Sequence, residues 1–259
     1  MKRNATAVLA VILVAVAILP SAAAAEAIGA TGPRAEIQIA LCAPTDRIVH
    51  GLNLSPDGPP LSVWFFDDAA LTLSGQGLRL RLRVADGRSE LTLKVADQDC
   101  ARLDRELVPL GEGKCEVDVY GEKTAGAVSL NRDLGAKSTN ELLAGRMTPA
   151  EALSPAQIRY LREVLGVWPL PPGIRGLGPM EVRRYRTKGK LYDIDISQLP
   201  GGEQTAEISR KVPLADAARA MEVMAADLSR AGIARCADQS SQAVNKLRAM
   251  ERQRSSSAR

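Results

Sequence analysis

The sequence predicts an α+β fold in which a mainly antiparallel β-barrel closes around a polar lumen and helices pack on its outside. Three observations predict it. Several segments alternate polar and apolar residues with a period of two, which is typical of strands with one polar and one apolar face. The polar faces carry charges of both signs. The helical segments need an apolar sheet face to pack on, and a closed sheet offers that face on its outside.

The N-terminal segment has the composition of an export signal. Lys2 and Arg3 precede an apolar run over residues 7–19, and small residues follow up to Ala25. This order is typical of a secretory signal peptide, and a run of about 13 apolar residues is short for a membrane span. We predict a signal peptide over residues 1–25, cleaved after Ala25 or Ala27, with an uncleaved anchor as the alternative. The predicted location is periplasmic or secreted, with no stable membrane span after cleavage.

The overall charge argues against a nucleic-acid partner. The 259 residues include 34 Lys and Arg against 30 Asp and Glu, a formal net charge of +4. Loss of Lys2 and Arg3 with the signal peptide reduces the excess to about +2, far less than a nucleic-acid binder needs. Aromatic residues make up 3% of the chain, too few for base stacking. Affinity for anions must therefore come from local arrangement.

The clearest strands form a hairpin around an Asp86-Gly87 turn. Arg79, Arg81 and Arg83 follow each other at two-residue spacing, as do Glu90, Thr92 and Lys94 after the turn. Such residues share one face of a strand, and the opposite face is Leu and Val. The arginine row is either a solvated face or the wall of an anion site. The predicted strands cover residues 36–41, 61–66, 78–83, 90–95, 116–120, 180–186, 190–197 and 206–209.

Helical spacing appears in three segments. Ser154-Pro155 begins a helix that ends before Gly166, Pro213 begins a second that ends before Gly232, and a third runs from Asp238 or Ser240 through Met250. We interpret residues 131–154 and 168–179 as boundaries between two halves of one sheet. The predicted organisation is one tunnel domain over 26–250, with halves at 34–130 and 177–250, a helical insert at 138–166 and a disordered tail at 251–259.

The cysteine count fits an oxidising compartment. Cys42, Cys100, Cys115 and Cys236 allow two disulfides in three connectivities. Cys100 and Cys115 flank two predicted strands, which favours that pair and leaves Cys42 with Cys236. A metal site is the weaker interpretation, because no two of them have close ligand spacing. His50 is the only histidine, which argues against Ser-His-Asp and Cys-His catalysis.

Taken in order, several of these segments resemble motifs of the CYTH superfamily, which has the triphosphate tunnel fold. The segments are Glu36 to Ala40, similar to an ExExK strand; Phe65-Phe66-Asp67-Asp68; Leu73, Gly77 and Leu80 to Arg83, similar to LRxR; Leu91 to Lys94, similar to LTLK; and Tyr192 to Asp195, Leu199 to Gly202 and Ala206 to Ser209. The resemblance covers roughly residues 36–246. It implies a tunnel that binds triphosphate-containing compounds.

The resemblance also implies roles for individual residues. Arg81, Arg83 and Lys94 match phosphate-binding positions, with Arg79 as a further cation on the same face and Arg184 and Arg186 from the second half. Guanidinium groups suit bidentate phosphate contacts. Family members hold Mg²⁺ or Mn²⁺ with carboxylates, a role that oxygen ligands suit. The corresponding metal ligands here are Glu36 and Glu207, with Glu116 and Asp118 as further candidates.

The chain departs from the family motifs at three positions. Gln38 stands where the first motif has its second glutamate, Ala40 where it has lysine, and Ser209 where the last motif has its second glutamate. Neutral ligands hold divalent cations less tightly than carboxylates do. Metal-dependent catalysis is therefore expected to be weak or lost.

Three functions remain open at this point. The first is an exported tunnel protein that binds phosphorylated or other polyanionic small molecules, such as polyphosphate, with little turnover. The second is a Mg²⁺- or Mn²⁺-dependent phosphohydrolase that acts on triphosphate or polyphosphate. The third is a non-catalytic interaction module of the cell envelope, in which opposite charges neutralise each other for structural reasons alone.

Overall fold

Nine strands of one sheet close into a barrel in the computed structural model, which describes residues 33–100, 113–189, 191–240 and 242–257. The strand order is β2-β8-β3-β4-β5-β7-β6-β1-β10-β9, and pairing of β9 with β8 closes the ring. Strand β2 adds to the edge of β8 outside the ring. All the pairings are antiparallel except β1 with β6. The predicted closed, mainly antiparallel barrel is confirmed.

The elements follow the alternation and the capping signals of the sequence. The strands are β1 (Arg34–Leu41), β2 (Leu54–Pro56), β3 (Leu61–Asp67), β4 (Leu78–Ala85), β5 (Arg88–Ala96), β6 (Gly113–Tyr120), β7 (Lys123–Leu134), β8 (Arg175–Thr187), β9 (Asp193–Gln198) and β10 (Gln204–Pro213). The helices are α1 (Thr45–Gly51), α2 (Thr72–Gly75), α3 (Ala136–Leu143), α4 (Pro149–Ala152), α5 (Pro155–Glu163), α6 (Ala217–Arg230) and α7 (Gln242–Ser257).

The apolar strand faces lie on the outside of the barrel beneath helices. One cluster joins β1, β9 and β10 to α1 and α6, with Ile37, Ile208 and Met224 fully buried. A second joins β4, β5 and β7 to α3, α4 and α5, and it buries Leu82 and Leu161. Burial of these side chains stabilises the barrel by roughly 1.5–3 kcal/mol each. The inverted arrangement, with the polar face inside, is what the alternating charges predict.

Helix α5 is fixed to the barrel by its own sequence. Ser154 caps it in a capping box with Gln157, and Pro155 occupies the first turn, as predicted. The buried Gln157 amide also donates to the carbonyl oxygens of Leu91 and Leu130, at 3.1 and 2.9 Å. These bonds attach the helical insert to neighbouring strands of the sheet.

Helix α7 packs against the inner face of the barrel. Its Leu247 and Met250 form a third cluster with Leu61, Val63 and Phe65 of β3 and with residues of β8. The helix continues to Ser257, so the prediction of a disordered tail at 251–259 is wrong over residues 251–257. Glu251 explains part of this extension, because it accepts hydrogen bonds from Arg254 and Ser255 and pairs with Arg175.

Two boundary predictions are also corrected. The segment from Asn131 was interpreted as a boundary, but β7 runs through it to Leu134. Strand β8 begins at Arg175, inside residues 168–179, which were also interpreted as a boundary. The predicted signal peptide at 1–25 and Lys190 of the predicted strand 190–197 lie outside the described residues. No helix in the described ranges is long and apolar enough to cross a membrane.

The favoured disulfide pairing is confirmed. Cys100 is bonded to Cys115, and Cys42 is bonded to Cys236. The second bond sits beside two backbone hydrogen bonds of 2.9 Å, from Cys42 to Ala234 and from Cys236 to Ala40. It therefore ties the end of β1 to the segment that leads into α7.

Removing the long-range disulfide should cost more stability than removing the local one. The Cys42–Cys236 bond closes 194 residues, whereas Cys100–Cys115 closes 15. A cross-link limits the unfolded chain more when its loop is longer, so we expect Cys42→Ser with Cys236→Ser to lower the unfolding free energy by about 4–5 kcal/mol and Cys100→Ser with Cys115→Ser by about 3 kcal/mol. Urea unfolding measures both, and a larger loss for the second pair would contradict the expectation.

Candidate functional site

The barrel interior contains a cavity of about 380 Å³, which we call the lumen. Inward side chains from every strand of the closed ring line it. All ten residues that the sequence singled out for phosphate or metal border this one cavity. They are Arg79, Arg81, Arg83, Lys94, Arg184, Arg186, Glu36, Glu116, Asp118 and Glu207. The lumen therefore brings the whole predicted set together, while the ligand of each residue stays a prediction.

A basic wall follows the first hairpin. Arg79 lies opposite Lys94 in the β4–β5 register, and Lys94 lies opposite Ser129 of β7. Residues paired across antiparallel strands point to the same face, so the arginine row and Lys94 form one surface. Arg83 at one end pairs with Glu90. The apolar leucines between the arginines are buried on the other side of the sheet.

Two guanidinium groups in the lumen have buried atoms without partners. Arg81 Nε and Arg184 Nε are shielded from solvent and make no hydrogen bond within the described structure. Burial, followed by the charges of Arg83 and Arg79, lowers the pKa of Arg81 well below its usual value. A buried donor without an acceptor costs roughly 1–3 kcal/mol, and more when it is charged. These two guanidinium groups are therefore suited to donate hydrogen bonds to a bound anion.

An acidic strip faces the basic wall. Glu207 of β10 lies opposite Asp195 of β9, and Asp195 lies opposite Arg184 of β8. Burial raises the pKa of Asp195, an effect that Lys246, Arg184 and Arg81 partly offset. Burial also raises the pKa of Glu207, with Asp195 and Glu36 adding to the rise and Lys246 opposing it. Both carboxyl groups therefore bind protons more readily than they would in water.

Helix α7 contributes a cation that the sequence analysis missed. Lys246 is buried, its Nζ atom lies 3.0 Å from Ser197 Oγ, and its charge acts on both Asp195 and Glu207. A helical lysine carries no strand alternation, so no pattern in the sequence predicts that it enters the lumen. Its position depends on the packing of Leu247 against the inner wall.

Most of the other lumen charges form ion pairs. Lys94 Nζ lies 2.5 Å from Asp118 Oδ2. Glu116 lies between Lys114 and Lys211, at 2.6 and 2.7 Å. Burial acts to raise the pKa of Glu116, but the hydrogen bonds from these two lysines outweigh it and hold the pKa below its usual value. Arg186 pairs with Asp193 and Asp57 nearer the surface.

These pairings do not fit a divalent metal. Two of the four predicted metal ligands, Glu116 and Asp118, already accept lysine ion pairs. Ser209 and Gln38 face each other across β1 and β10, where charged ligands would be needed, and both are neutral. Within the described residues, no group of three or more His, Cys, Asp or Glu side chains is arranged to hold a metal ion. The lumen carboxylates Glu116 and Asp118 are therefore paired with lysines and are not arranged to bind a metal ion.

Some of the missed lumen residues were visible in the sequence pattern. Lys211 continues the alternation of Glu207 and Ser209, and Lys114 precedes Glu116 at the same spacing. Asp193 and Asp195 alternate with isoleucines but matched no metal or phosphate position. All four line the lumen.

The Phe-Phe-Asp-Asp segment has a structural role. Asp67 is buried, and its carboxylate accepts hydrogen bonds from the backbone N–H groups of Asp68, Leu73 and Ser74. Asp68 accepts from the backbone and the hydroxyl of Thr72. Together they hold the turn that leads from β3 through α2 into β4, which fixes where the arginine row begins.

The comparisons with known proteins identify the fold. No family model matches the chain, and no curated protein matches it. Two solved structures have a TM-score of 0.55. HpAC1 from Hippeastrum, a candidate adenylyl cyclase with a reported dominant triphosphatase activity, is 16% identical over 81% of this chain and 92% of its own. A candidate adenylate cyclase from Bacillus halodurans is 15% identical over 80% of this chain and 94% of its own.

At these identities the likeness establishes the architecture. The chain is a tunnel-forming β-barrel protein, and the alignment spans nearly the full length of both solved structures. The closed tunnel barrel that the order of the sequence motifs predicts is therefore confirmed as the fold.

Neutralising Arg81 should stabilise the free protein. Its pKa is lower in the folded than in the unfolded chain, so its charge opposes folding at neutral pH. We expect Arg81→Met to raise the unfolding free energy by about 1 kcal/mol, because an apolar side chain of similar size removes the desolvation cost. Urea unfolding in phosphate-free buffer measures this.

Arg83→Met is the matched control for that measurement. Arg83 sits two residues away on the same face, but its guanidinium is paired with Glu90 and about a third of its side chain is exposed. Its replacement should lower the unfolding free energy by about 0.5 kcal/mol, which allows for solvent screening. A loss of stability in Arg81→Met equal to that of the control would contradict the interpretation of Arg81 as an unpaired charge.

Proposed function

We propose that this protein is an exported tunnel protein that binds phosphorylated or other polyanionic small molecules, such as polyphosphate, in its lumen, with weak or lost catalysis. One observation carries the proposal: Arg81 and Arg184 border the same enclosed space, each with a buried Nε atom that lacks an acceptor. Phosphate oxygens are strong acceptors that match guanidinium donors in geometry and charge. A phosphate group between these side chains would satisfy both.

The charge balance of the lumen supports an anionic ligand. Acidic lumen residues already have cationic neighbours, as in the Lys94–Asp118 pair and the two lysines at Glu116. Lys246 adds a buried positive charge next to the remaining carboxyl groups. Burial raises the pKa values of Asp195 and Glu207, so the lumen disfavours negative charge on both carboxyl groups.

The same ion pairs argue against strong metal-dependent turnover. Metal-assisted phosphoryl transfer needs carboxylates that hold the cation while it bridges phosphate oxygens. In this lumen Glu116 and Asp118 hold lysines, and Gln38 and Ser209 bring no charge. Two disulfides are compatible with the export that the N-terminal segment predicts.

Tripolyphosphate binding without metal tests the proposal. We expect isothermal titration calorimetry to show binding by the wild type and a loss of affinity of about 100-fold or more in Arg81→Gln with Arg184→Gln, since each charge-assisted hydrogen bond contributes roughly 1.5–3 kcal/mol. Arg183→Gln is the matched control, because Arg183 is exposed and adjacent in sequence but does not line the lumen. It should bind like the wild type.

Two results would change the assignment. Absence of binding by the wild type would refute the proposal and leave the envelope interaction module. Phosphate release that requires Mg²⁺ or Mn²⁺ and disappears in Glu36→Gln would favour the phosphohydrolase. We expect the wild type and Glu36→Gln to release phosphate at the same rate in the presence of either metal.

The affinity for tripolyphosphate should rise as the pH is lowered through the range in which Asp195 and Glu207 take up protons. The pKa values of Asp195 and Glu207 are raised, so these groups take up protons first and remove negative charge beside the ligand. Arg81, whose pKa is lowered only to about 9, keeps its positive charge as the pH falls below neutral. A shift of one pKa unit corresponds to about 1.4 kcal/mol, or roughly tenfold in affinity, per group.

A matched variant separates the titration of Asp195 and Glu207 from the titration of the ligand itself. Asp195→Asn with Glu207→Gln has no carboxyl group at these positions, so its remaining pH dependence reports the ligand and the other groups. We expect calorimetry in two buffers of different ionisation enthalpy to show more proton uptake on binding by the wild type than by the variant. Equal proton uptake by the two proteins would contradict the assignment.

A further inference from the structure

The lumen contains buried acceptors as well as buried donors that lack partners. The Oδ1 atoms of Asn131 and Asp118 are shielded from solvent and accept no hydrogen bond within the described structure. Both residues border the lumen together with Arg81 and Arg184. An ion that carries only acceptors, such as fully ionised polyphosphate, can satisfy the two guanidinium groups but leaves both oxygens unpaired. A ligand that satisfies all four groups must donate hydrogen bonds as well as accept them.

The unpaired acceptors lie beside the basic wall. Arg81 of β4 lies opposite Thr92 of β5, and Thr92 lies opposite Asn131 of β7. Neighbouring strands are about 4.8 Å apart, so the backbone positions of Arg81 and Asn131 are separated by roughly 10 Å on one inner face. Asp118 contacts the same wall through its Oδ2 atom, which lies 2.5 Å from Lys94 Nζ. Donors and acceptors therefore border a space that one compact ligand can span.

The adjoining part of the lumen is lined by neutral polar groups. Thr92 and Ser129 are buried there. On the neighbouring strands Ser209 lies opposite Gln38, and Gln38 lies opposite Tyr120. Hydroxyl and amide groups both donate and accept hydrogen bonds. They match the hydroxyl groups of a ligand better than they match a row of phosphates.

The charge of the lumen matches one phosphate group. Of the described residues that line it, nine are cationic and seven are acidic, which at formal charge is an excess of two positive charges. A phosphate monoester carries about −1.5 to −2 charges at pH 7. Each further phosphate of a linear chain adds negative charge that this excess does not balance. A single phosphate monoester therefore neutralises the lumen without protonation of its acids.

We propose that the lumen binds the phosphate monoester of a hydroxyl-rich small molecule, a sugar or polyol phosphate, with the phosphate at Arg81 and Arg184 and hydroxyl groups at Asn131 and Asp118. This inference rests on the anion binding proposed above and specifies the class of the ligand. Both oxygens are shielded in the free protein, and side-chain rotamer changes of the kind that commonly accompany binding present them to the ligand. Such a site is selective, because an analogue without hydroxyl groups leaves the buried oxygens unpaired.

The test compares myo-inositol 1-phosphate with cyclohexyl phosphate, which has the same ring and the same phosphate but no hydroxyl groups on the ring. Calorimetry in metal-free buffer should show that the wild type binds the inositol phosphate at least about tenfold more tightly, since only this ligand donates to the buried acceptors. In Asn131→Leu, we expect the affinity for the inositol phosphate to fall roughly 3- to 10-fold and the affinity for cyclohexyl phosphate to change by less than about twofold. Retained binding of cyclohexyl phosphate also shows that the variant is folded.

Asn140→Leu is the matched control, because Asn140 is exposed on α3 and does not line the lumen. It should bind both esters like the wild type. Asn131→Ala adds no bulk to the lumen and should show the same selective loss as Asn131→Leu, which covers the case in which leucine disturbs folding.

Equal affinity of the wild type for the two esters would overturn the inference, and so would equal losses for both esters in the two Asn131 variants. If the wild type binds tripolyphosphate but does not prefer the hydroxylated ester, this inference fails and the proposed function stands. If the wild type binds neither tripolyphosphate nor either ester, the proposed function itself is refuted.

Discussion

The structure depends on one constraint: rows of charged side chains are enclosed in a barrel, and each charge there needs a partner. An unpaired ion removed from water costs several kcal/mol even after relaxation. The lumen meets this requirement by pairing across strands, as between Lys94 and Asp118 or around Glu116. The polar interior is compatible with a stable fold because the apolar face of the sheet is buried under helices on the outside of the barrel. Among the buried lumen atoms left without a hydrogen-bond partner, those of Arg81 and Arg184 are the cationic donors, and they mark where an anion could bind.

The same pairing separates this lumen from a metal centre. A carboxylate that already holds a lysine can bind a divalent cation only by releasing it, and Glu116 would have to release two. Gln38 and Ser209 face each other where family motifs place acids, so that side of the lumen has no charge for a cation to neutralise. Anion affinity and metal affinity are thus alternatives here, and the distribution of lysines favours the first.

Sequence alone predicted the strands with regular alternation, because a period of two survives any arrangement of the sheet. The arginine row, Lys94 and Glu207 were found this way. Strand β7 was not predicted, and one reason is that Ala125, Gly126 and Ala127 give its first half no alternation of polar and apolar residues. The ion pairs were not predictable, since Lys94 meets Asp118 only through a strand order in which β6 follows β7 and runs parallel to β1. Lys246 depends on helix packing, which leaves no mark on strand patterns.

Helix α7 explains how the lumen keeps a cation beside Glu207. Ala40, which lies opposite Glu207 on the neighbouring strand β1, stands where the family motif has lysine. The side-chain amide of Gln239 donates to the backbone carbonyl oxygen of Ala40 at 3.0 Å and accepts from its backbone N–H at 2.9 Å. Gln239 belongs to the segment that the Cys42–Cys236 disulfide fixes to β1. That anchor sets where α7 begins, and the packing of Leu247 then directs Lys246 inward. The charge that β1 lacks is therefore supplied from the other end of the chain, held in place by a covalent bond and an apolar contact.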